Sequence, residues 1–290
     1  MTDRHELVVV TGASTGMGAA TARELARRGF HVLAGVRRDI DADALRGEGI
    51  EPHILDITVD SHVAAIADRV AHDPPGRPLR ALINNAGISV NAPVEALPIA
   101  EWRGQFEVNL FGHIAMTQAL LPALLRSAGT VVNISSVGGK VALPTYGAYA
   151  GTKFALEAAS DALRREVADL GVRVVVVEPG AVRTEMLERG VDNADRLKAD
   201  MTTDQLERYG DLVVAVSEQA RSFGKRGVSA EHAGKVIAEA ATAPRPRPRY
   251  TIGHDAAVLV RLARVLPDRF LDQMVRLGLR PHYVANATGS

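Results

Sequence analysis

Short apolar runs alternate with longer amphipathic segments along most of the chain. The runs are nearly continuous in apolar residues, as in Val172 to Val177 (VRVVVV), a pattern typical of strands covered on both faces. Strands that alternate with helical segments in this way predict an α/β fold with a Rossmann-type, doubly wound parallel sheet. The predicted strands are Leu7 to Val10, Phe30 to Val36, a third ending over Ile54 to Asp56, Leu79 to Ile83, Thr130 to Ile134, Val172 to Val177 and Tyr250 to Ile252.

Apolar residues recur at the helical period in the intervals between these strands. Gly29 is predicted to end the first helix, and Pro122 to kink the second of two helices within residues 99–127. The predicted helices are Met17 to Arg28, Asp60 to Ala71, the two within residues 99–127, Tyr149 to Ala168 and Ser229 to Ala243.

No repeat or linker divides the chain, so residues 1–290 are predicted to form a single domain. From about residue 184 to residue 228 the pattern loosens and charges increase, which predicts a helical substrate-loop insertion over the carboxyl edge of the sheet. Residues 255–279 are apolar at helical spacing, with interspersed arginines. This C-terminal helical extension is predicted to be a packing or oligomer surface, with a peripheral membrane contact as the alternative.

Composition excludes several kinds of partner. Lys plus Arg and Asp plus Glu both number 34, so nucleic acid is not an expected partner. The absence of cysteine excludes disulfides, thiolate nucleophiles and cysteine-ligated metals, and the scattered histidines predict no metal site. No apolar stretch was expected to reach the ~20 residues of a membrane span, and the N-terminus is unlike a signal peptide, so a cytoplasmic protein is expected.

A glycine-rich turn, Thr11 to Gly18 (TGASTGMG), connects the first strand to the first helix. Glycines at such a turn let the backbone approach a pyrophosphate, whose charge the free N–H groups of the helix N-terminus stabilise. The turn also spells G-x-S-x-G around Ser14, the pattern of a hydrolase nucleophile. A hydrolase needs several strands before that turn, whereas only eleven residues precede Gly12. The sequence therefore favours a dinucleotide site.

Acid–base chemistry is indicated at Tyr149 and Lys153, which lie one helical turn apart. A positive charge within ~4–6 Å favours the phenolate, so Lys153 is predicted to lower the pKa of Tyr149. Tyr146 is a weaker candidate, because the residue four positions later is Ala150, and it is interpreted as pocket wall. Ser136 supplies a hydroxyl from the preceding segment.

Taken together, the glycine turn, residues 84–87 (NNAG), Asn109, Ser136 and the Tyr-x-x-x-Lys pair resemble the short-chain dehydrogenase/reductase family. The resemblance covers roughly residues 6–184 and the helix near residue 230. It is greatest to the branch with 17β-hydroxysteroid and retinol dehydrogenases, whose SVGG-x4-P-x4-Y-x3-K layout begins here at Ser136.

This resemblance implies a role for each motif residue. Tyr149 would be the general acid in carbonyl reduction and the base in the reverse direction, and Lys153 would also hold the nicotinamide ribose. Ser136 would hold the substrate oxygen, and Asn109 would position a water that links Lys153 to solvent. The residues implied to bind the cofactor are Gly12, Ser14, Thr15, Gly16, Met17, Gly18, Arg37, Asp56, Ile57, Asn85, Ala86, Gly87, Tyr149, Lys153, Pro179, Gly180, Val182 and Thr184.

The choice between the two nicotinamide cofactors depends on the end of the second strand. An NAD enzyme of this family usually has an acidic residue at the position of Val36, which Arg37 and Arg38 follow here. Arginine can bind a 2′-phosphate with two parallel hydrogen bonds. Thr15, however, stands where many NADP enzymes have a basic residue. NADP(H) is therefore favoured over NAD(H).

The resulting hypothesis is hydride transfer between NADP(H) and a carbonyl/secondary alcohol pair on a fairly apolar substrate. The expected substrate contacts are Leu143, Tyr146 and Met186, together with Ser136 and Tyr149. The alternative is a catalytically silent dinucleotide sensor, which would be expected to lack one of the serine, tyrosine or lysine groups. Apolar helix faces around residues 105–125 and 153–165 predict a homodimer or homotetramer.

Overall fold

Seven parallel strands form one sheet in a computed structural model that describes residues 6–283 of the chain. The strand order is β3-β2-β1-β4-β5-β6-β7. From β1, the strands β2 and β3 extend the sheet to one side and β4 to β7 extend it to the other, as in doubly wound folds. The predicted fold class is confirmed. Residues 1–5 and 284–290 lie outside the described residues. The strands are β1 Leu7–Val10, β2 His31–Val36, β3 Ile50–Ile54, β4 Leu79–Asn84, β5 Thr130–Ile134, β6 Arg173–Pro179 and β7 Arg249–Ile252.

Eleven α-helices flank the sheet within residues 6–283. Of these, α2 was not predicted, because its sequence DIDADAL is short and alternates aspartates with apolar residues instead of following the helical period. The helices are α1 Gly16–Arg27, α2 Asp39–Leu45, α3 Asp60–Ala71, α4 Ile99–Phe106, α5 Gly112–Ser127, α6 Gly147–Glu166, α7 Glu185–Ala199, α8 Thr203–Arg226, α9 Ala230–Thr242, α10 His254–Val265 and α11 Asp268–Leu279.

Alternate side chains along each strand belong to two different cores, one on each face of the sheet. In β1, Val8 and Val10 join the core beneath α1 and α9, whereas Leu7 and Val9 join the core beneath α3 and α5. Successive side chains of a strand point to opposite faces, so each run must be apolar throughout to serve both layers. The third strand ends at Ile54, two residues before the predicted end, and Asp56 lies in the following loop.

The helical run over residues 99–127 differs from its prediction. Its irregularity is a π-helical turn at Glu107–Phe111 between α4 and α5, and α5 continues through Pro122. Pro122 is exposed, as is Gln118 four residues before it, so water can satisfy the carbonyl that loses its hydrogen bond. Helix α5 is therefore unbroken at Pro122, and the kink predicted there stays a prediction.

The same run, Ile99–Ser127, is long and apolar enough to cross a membrane by length and composition, with a mean hydropathy of 1.4. The expectation that no stretch would approach this limit is thus wrong. Met116, Leu120 and Leu124 of the run are buried in the core against the sheet. Core helices of soluble proteins pass the same test, so this feature is weak support for a membrane span.

The substrate-loop insertion consists of α7 and α8, which pack on each other above the sheet. Its two ends are tied together where Arg183 N donates to Val228 O at 3.0 Å and Val228 N donates to Ala181 O at 3.1 Å. Helix α11 of the C-terminal extension lies against α8, where Gln219 Nε2 donates to Gly278 O at 3.0 Å. The insertion is therefore held between the sheet and the C-terminal helices.

Candidate active site

Two adjoining pockets lie at the carboxyl ends of β1, β4, β5 and β6. We call the first the cofactor cleft; its volume is about 260 Å³, and it contains most of the residues predicted to bind the cofactor. The predicted residues that line it are Gly12, Ser14, Thr15, Gly16, Met17, Gly18, Arg37, Asp56, Ile57, Asn85, Ala86, Gly87 and Thr184.

The glycine turn leaves no room for side chains beside the cleft. Gly12 and Gly16 have φ values of +62° and +55°, which favour glycine. A Cβ on Gly18 would lie only 2.3 Å from Gly12 O and 2.5 Å from Asn85 Nδ2. Helix α1 begins at Gly16, so its first N–H groups face the cleft. This arrangement fits the diphosphate of a dinucleotide.

The segment after β4 is joined directly to the glycine turn. Thr11 Oγ1 accepts hydrogen bonds from the backbone N–H groups of Asn85 and Ala86, both at 3.0 Å. Asn85 Nδ2 donates to the carbonyl oxygens of Thr11 and Gly12, also at 3.0 Å. These bonds fix Ala86 and Gly87 at the wall of the cleft, where the family resemblance places the adenine ribose.

At the adenosine end of the cleft, the two arginines after β2 differ in their contacts. Arg38 donates two hydrogen bonds to Asp41, at 2.8 and 2.6 Å, which lower the pKa of that carboxyl. Arg37 lines the cleft and has no ion-pair partner among the described residues. Asp56 also lines the cleft; burial opposes its ionisation, but hydrogen bonds from Thr58 outweigh burial and lower its pKa.

Sequence analysis missed the far wall of this cleft. Arg189 and Asn193 of α7 border it opposite the glycine turn, and Arg189 is near enough to Asp41 to contribute to lowering its pKa. A helix that crosses the cleft from the insertion has no local sequence signature, so only the tertiary structure identifies these residues.

Ser136, Tyr149 and Lys153 come together as predicted. Tyr149 lies in the first turn of α6, and Lys153 follows one turn later with its ammonium 5.7 Å from the centre of the Tyr149 ring. Lys153 is buried, and Nζ donates a 2.8 Å hydrogen bond to Ile134 O at the end of β5. Ser136 follows β5 and lies near enough to Tyr149 to offset part of the rise in the pKa of Tyr149. Lys153 lies behind Tyr149 and borders neither pocket.

The acid–base properties of the pair differ from the prediction. Burial raises the pKa of Tyr149, and the nearby Ser136 hydroxyl opposes this only in part. Burial lowers the pKa of Lys153 to about 8, against a raising effect of Glu157. The predicted lowering of the Tyr149 pKa by Lys153 is therefore wrong for this arrangement, in which the ammonium is bound to Ile134 O beneath the ring.

Asn109 lies within the π-helical turn and is fully buried. Its Nδ2 donates to Ile88 O at 2.9 Å and to Thr152 Oγ1 at 3.2 Å, and its Oδ1 accepts from Ile88 N at 2.9 Å. Both amide protons are thus used to join the segment after β4 to α6. The predicted role of Asn109 in positioning a water stays a prediction. π-Helical turns are frequent at functional sites.

His113 is a second buried residue that sequence analysis did not select. Its Nε2 donates a 2.7 Å hydrogen bond to Ala86 O, which supports the wall of the cofactor cleft from below. Burial, with the nearby Lys153 as a smaller cause, lowers the pKa of His113 to about 3. His113 is therefore neutral near pH 7, and its role is to hold the segment after β4 in place.

We call the second pocket the substrate pocket. It has a volume of about 200 Å³ and is bordered by Ser136, Tyr149, Leu143, Tyr146 and Met186, the five predicted substrate contacts. No charged residue of the described chain borders it. Further apolar contacts come from the insertion and the C-terminal extension, namely Leu187 of α7, Phe223 of α8 and Leu259 of α10.

Some predicted cofactor residues lie on the substrate side. Pro179, Gly180 and Val182 border the substrate pocket and not the cofactor cleft, whereas Thr184 borders both. Tyr146 contacts Tyr149 edge to face, with ring centres 6.3 Å apart, and burial raises its pKa to about 12. Tyr146 is thus placed as pocket wall, in agreement with its interpretation from the sequence.

Comparisons with known proteins agree with this geometry. Residues 6–195 match the short chain dehydrogenase family. The uncharacterized oxidoreductase YbbO of Escherichia coli K12 is 33% identical over 93% of each chain. Human retinol dehydrogenase 16 is 34% identical over 94% of this chain and 88% of its own. A Burkholderia cenocepacia short chain dehydrogenase solved with NADP has a TM-score of 0.72 and 26% identity, over 94% of this chain and 98% of its own.

These matches cover the glycine turn, the Tyr149–Lys153 helix and most of the remaining chain. Because the family match spans well over half of the chain and both relatives exceed 30% identity over nearly all of it, common ancestry accounts for the whole fold. The chain therefore belongs to the short chain dehydrogenase family and is an NAD(P)-dependent oxidoreductase.

Proposed function

We propose that the protein transfers a hydride between NADP(H) and the carbonyl/secondary alcohol pair of a neutral, largely apolar substrate. The observation that carries this proposal is the position of Tyr149, whose phenol faces an uncharged apolar pocket that adjoins the cofactor cleft. Met17, Ser89, Thr184 and Met186 border both pockets, so a cofactor in one would meet a substrate in the other.

A bound NADP(H) would supply or accept the hydride, while the side chains handle the proton. Tyr149 protonates the substrate oxygen during reduction, and its raised pKa keeps the phenol protonated until that step. Ser136, which borders the substrate pocket beside Tyr149, holds the same oxygen in place. Lys153 supplies a positive charge beneath the ring at pH values below its pKa of about 8. In the reverse direction Tyr149 accepts the proton.

NADP(H) is preferred in this proposal because of the charges at the adenosine end. Arg37 faces the cleft without an ion-pair partner among the described residues, whereas Arg38 is occupied by Asp41. The residue at the end of β2 is Val36, which has no carboxylate to bind a ribose 2′-hydroxyl. The solved Burkholderia structures include one with NADP and one with NAD, so the preference rests on the charges at this end of the cleft.

An apolar substrate follows from the pocket lining and is supported by the relative named as a retinol dehydrogenase. We also propose a cytoplasmic homo-oligomer. Phe111, Leu125 and Phe154 are 53%, 37% and 45% exposed on helical faces where the sequence predicts an oligomer contact. A second subunit would remove these side chains from water.

The test is a screen of ketones, aldehydes and secondary alcohols with NADPH/NADP⁺ and NADH/NAD⁺, followed through the absorbance of the reduced nicotinamide. We expect NADPH-linked turnover of apolar ketones, and the Tyr149→Phe variant should lose about 10²- to 10⁴-fold in kcat. Its NADPH dissociation constant should match that of the wild type. Undiminished turnover in Tyr149→Phe would exclude the phenol, and tight NADPH binding without turnover would favour the sensor.

A further inference from the structure

Asn91 lies on the segment after β4 and is 4% exposed. Its side chain borders both the substrate pocket and a small cavity behind Tyr146, but not the cofactor cleft. Ser89 Oγ donates a 3.0 Å hydrogen bond to Asn91 Oδ1, which orients the amide. No group among the described residues accepts a hydrogen bond from Asn91 Nδ2. The pocket wall thus carries an amide donor without a protein partner among the described residues, on a side chain that is otherwise buried.

Buried polar groups in folded proteins nearly always have hydrogen-bond partners, so an unused donor at a pocket wall points to a ligand. Helix α7 packs beside the amide at Gly190, where a Cβ would lie 3.5 Å from Asn91 Nδ2. Because Gly190 has no side chain, the approach to the amide nitrogen from the pocket is open. The amide is held in position by Ser89 and left accessible by Gly190.

We propose that Asn91 Nδ2 binds a second, neutral oxygen of the substrate, separate from the oxygen that reacts at Tyr149. This inference rests on the proposed function. No charged residue of the described chain borders the pocket, so a carboxylate or phosphate would enter without a counter-charge. The remaining acceptors are a carbonyl, an ether or a hydroxyl oxygen. The substrate class is therefore an apolar ketone or secondary alcohol that carries one further neutral oxygen.

Asn91 is then a specificity-determining residue. A pocket that binds a substrate oxygen discriminates strongly against analogues that lack it, because its own polar group is left without a partner. Apolar walls alone discriminate weakly between substrates of similar shape. The position of the second oxygen along the substrate, rather than overall hydrophobicity, should therefore decide which apolar ketone is reduced fastest.

The experiment uses an aliphatic methyl ketone and analogues in which one methylene at a time is replaced by an ether oxygen. Values of kcat/KM with NADPH are measured for the wild type and for Asn91→Leu, which has a similar size and no donor. One oxygen position should raise the wild-type kcat/KM about tenfold over the parent ketone, as one neutral hydrogen bond allows. Asn91→Leu should remove this advantage, so that the favoured analogue and the parent ketone differ by less than about threefold in kcat/KM.

Two controls separate specificity from folding. The NADPH dissociation constant of Asn91→Leu should match the wild type, because Asn91 does not border the cofactor cleft, and the thermal unfolding midpoint reports any loss of folding. Ser89→Ala keeps the donor but removes the bond that orients it, so it should lower the advantage of the favoured analogue only in part. If Asn91→Leu does not fold, Asn91→Ala is measured on the same series and interpreted in the same way.

Three outcomes would overturn the assignment. An equal loss on every ketone would mean that Asn91 only supports the pocket. Turnover of the parent ketone without any favoured oxygen position would leave the proposed function intact and exclude Asn91 as a substrate ligand. NADPH binding without turnover of any ketone would overturn the proposed function itself, and the assignment with it.

Discussion

The cofactor cleft and the substrate pocket share Met17, Ser89, Thr184 and Met186 but are built in different ways. In the cleft, a Cβ on Gly18 would meet the backbone oxygen of Gly12 at 2.3 Å. In the insertion, a Cβ on Gly224 would meet Leu187 Cδ2 at 2.4 Å, the end of a flexible side chain. The cleft is therefore a fixed backbone cradle, whereas the pocket is a wall of side chains that can repack.

The largest effect is expected where the backbone cradle is filled. Gly18→Ala forces its Cβ against Gly12 O and Asn85 Nδ2, both of which belong to the cradle itself. We expect NADPH affinity to fall at least about 100-fold, or about 2.7 kcal/mol, as measured by the fluorescence of bound NADPH. Any loss of folded protein would be visible in the unfolding midpoint.

Gly104→Ala in α4 is the matched control. A Cβ there meets no atom within 4 Å, and alanine stabilises a helix interior by about 1 kcal/mol relative to glycine. Its NADPH affinity should equal that of the wild type, and its unfolding midpoint should not fall. Normal NADPH binding by Gly18→Ala would show that the cradle can relax, and the contrast between the two halves of the site would then fail.

A second effect is expected at the edge of the cradle, where the Arg37 side chain, rather than the backbone, distinguishes NADPH from NADH. Arg37→Gln should weaken NADPH binding about 10- to 100-fold, because a hydrogen bond to a charged group contributes about 1.5–3 kcal/mol. NADH binding should stay within about twofold of the wild type. Titrations of both cofactors against both proteins give the ratio directly.

Arg38→Gln is the control for this change, because the two arginines are adjacent and only Arg37 borders the cleft. Arg38 is bound to Asp41, and 68% of its side chain is exposed. We expect the ratio of NADPH to NADH affinity to be unaffected. Equal losses in Arg37→Gln and Arg38→Gln would mean that general positive charge, and not a specific contact, favours NADPH.

The same contrast explains what could be predicted from the sequence. The cradle depends on glycines and a strand end that are close along the chain, so the spacing of Gly12, Gly16 and Gly18 predicts it. Tyr149 and Lys153 are one helical turn apart and equally local. The sheet was predictable because continuous apolar runs report burial on both faces, and errors fell at strand ends, such as Asp56.

The parts that escaped prediction depend on distant residues. Arg189 and Asn193 reach the cofactor cleft because α7 crosses it, and Leu259 reaches the substrate pocket from the C-terminal extension. The raised pKa of Tyr149 follows from burial, which the spacing of Tyr149 and Lys153 does not reveal. The continuity of α5 through Pro122 depends on solvent at an exposed face. None of these features has a local sequence signal.

A smaller effect is expected in the side-chain wall. Gly224→Ala should displace Leu187 within the substrate pocket, because the conflict is with the far end of that side chain. We expect KM for apolar ketones to change about three- to fivefold, while kcat and the NADPH dissociation constant stay near wild-type values. Steady-state kinetics on ketones of increasing chain length would detect the change.

A double variant tests the mechanism of this effect. Leu187→Ala removes the atoms that Gly224→Ala displaces, so the two changes should couple and not simply add. Additive effects, or a loss of NADPH affinity like that expected for Gly18→Ala, would contradict the view that the insertion is an adjustable wall. The contrast between the two halves of the site would then have to rest on the cleft alone.

The smallest effect concerns Lys153, which lies behind Tyr149 and borders neither pocket. Its pKa of about 8 means that the ammonium loses its proton as the pH rises through that value. The kcat/KM for carbonyl reduction should therefore fall above about pH 8, since this profile reports groups of the free enzyme. Glu157 raises the pKa of Lys153, so Glu157→Gln should move the falling limb to lower pH.

Asp161→Asn separates this electrostatic effect from a structural one. Arg249 of β7 binds both Glu157, at 2.9 Å, and Asp161, at 3.0 Å, so either variant disturbs the same ion pairs. Only Glu157 contributes to the pKa of Lys153. Glu157→Gln should also destabilise the fold by about 3 kcal/mol, because the buried carboxylate of Glu157 pairs with Lys140 as well. The pH profiles of both variants are therefore measured well below their unfolding midpoints. A falling limb that moves equally in the two variants would mean that the packing of β7, and not the charge of Glu157, controls the pKa of Lys153.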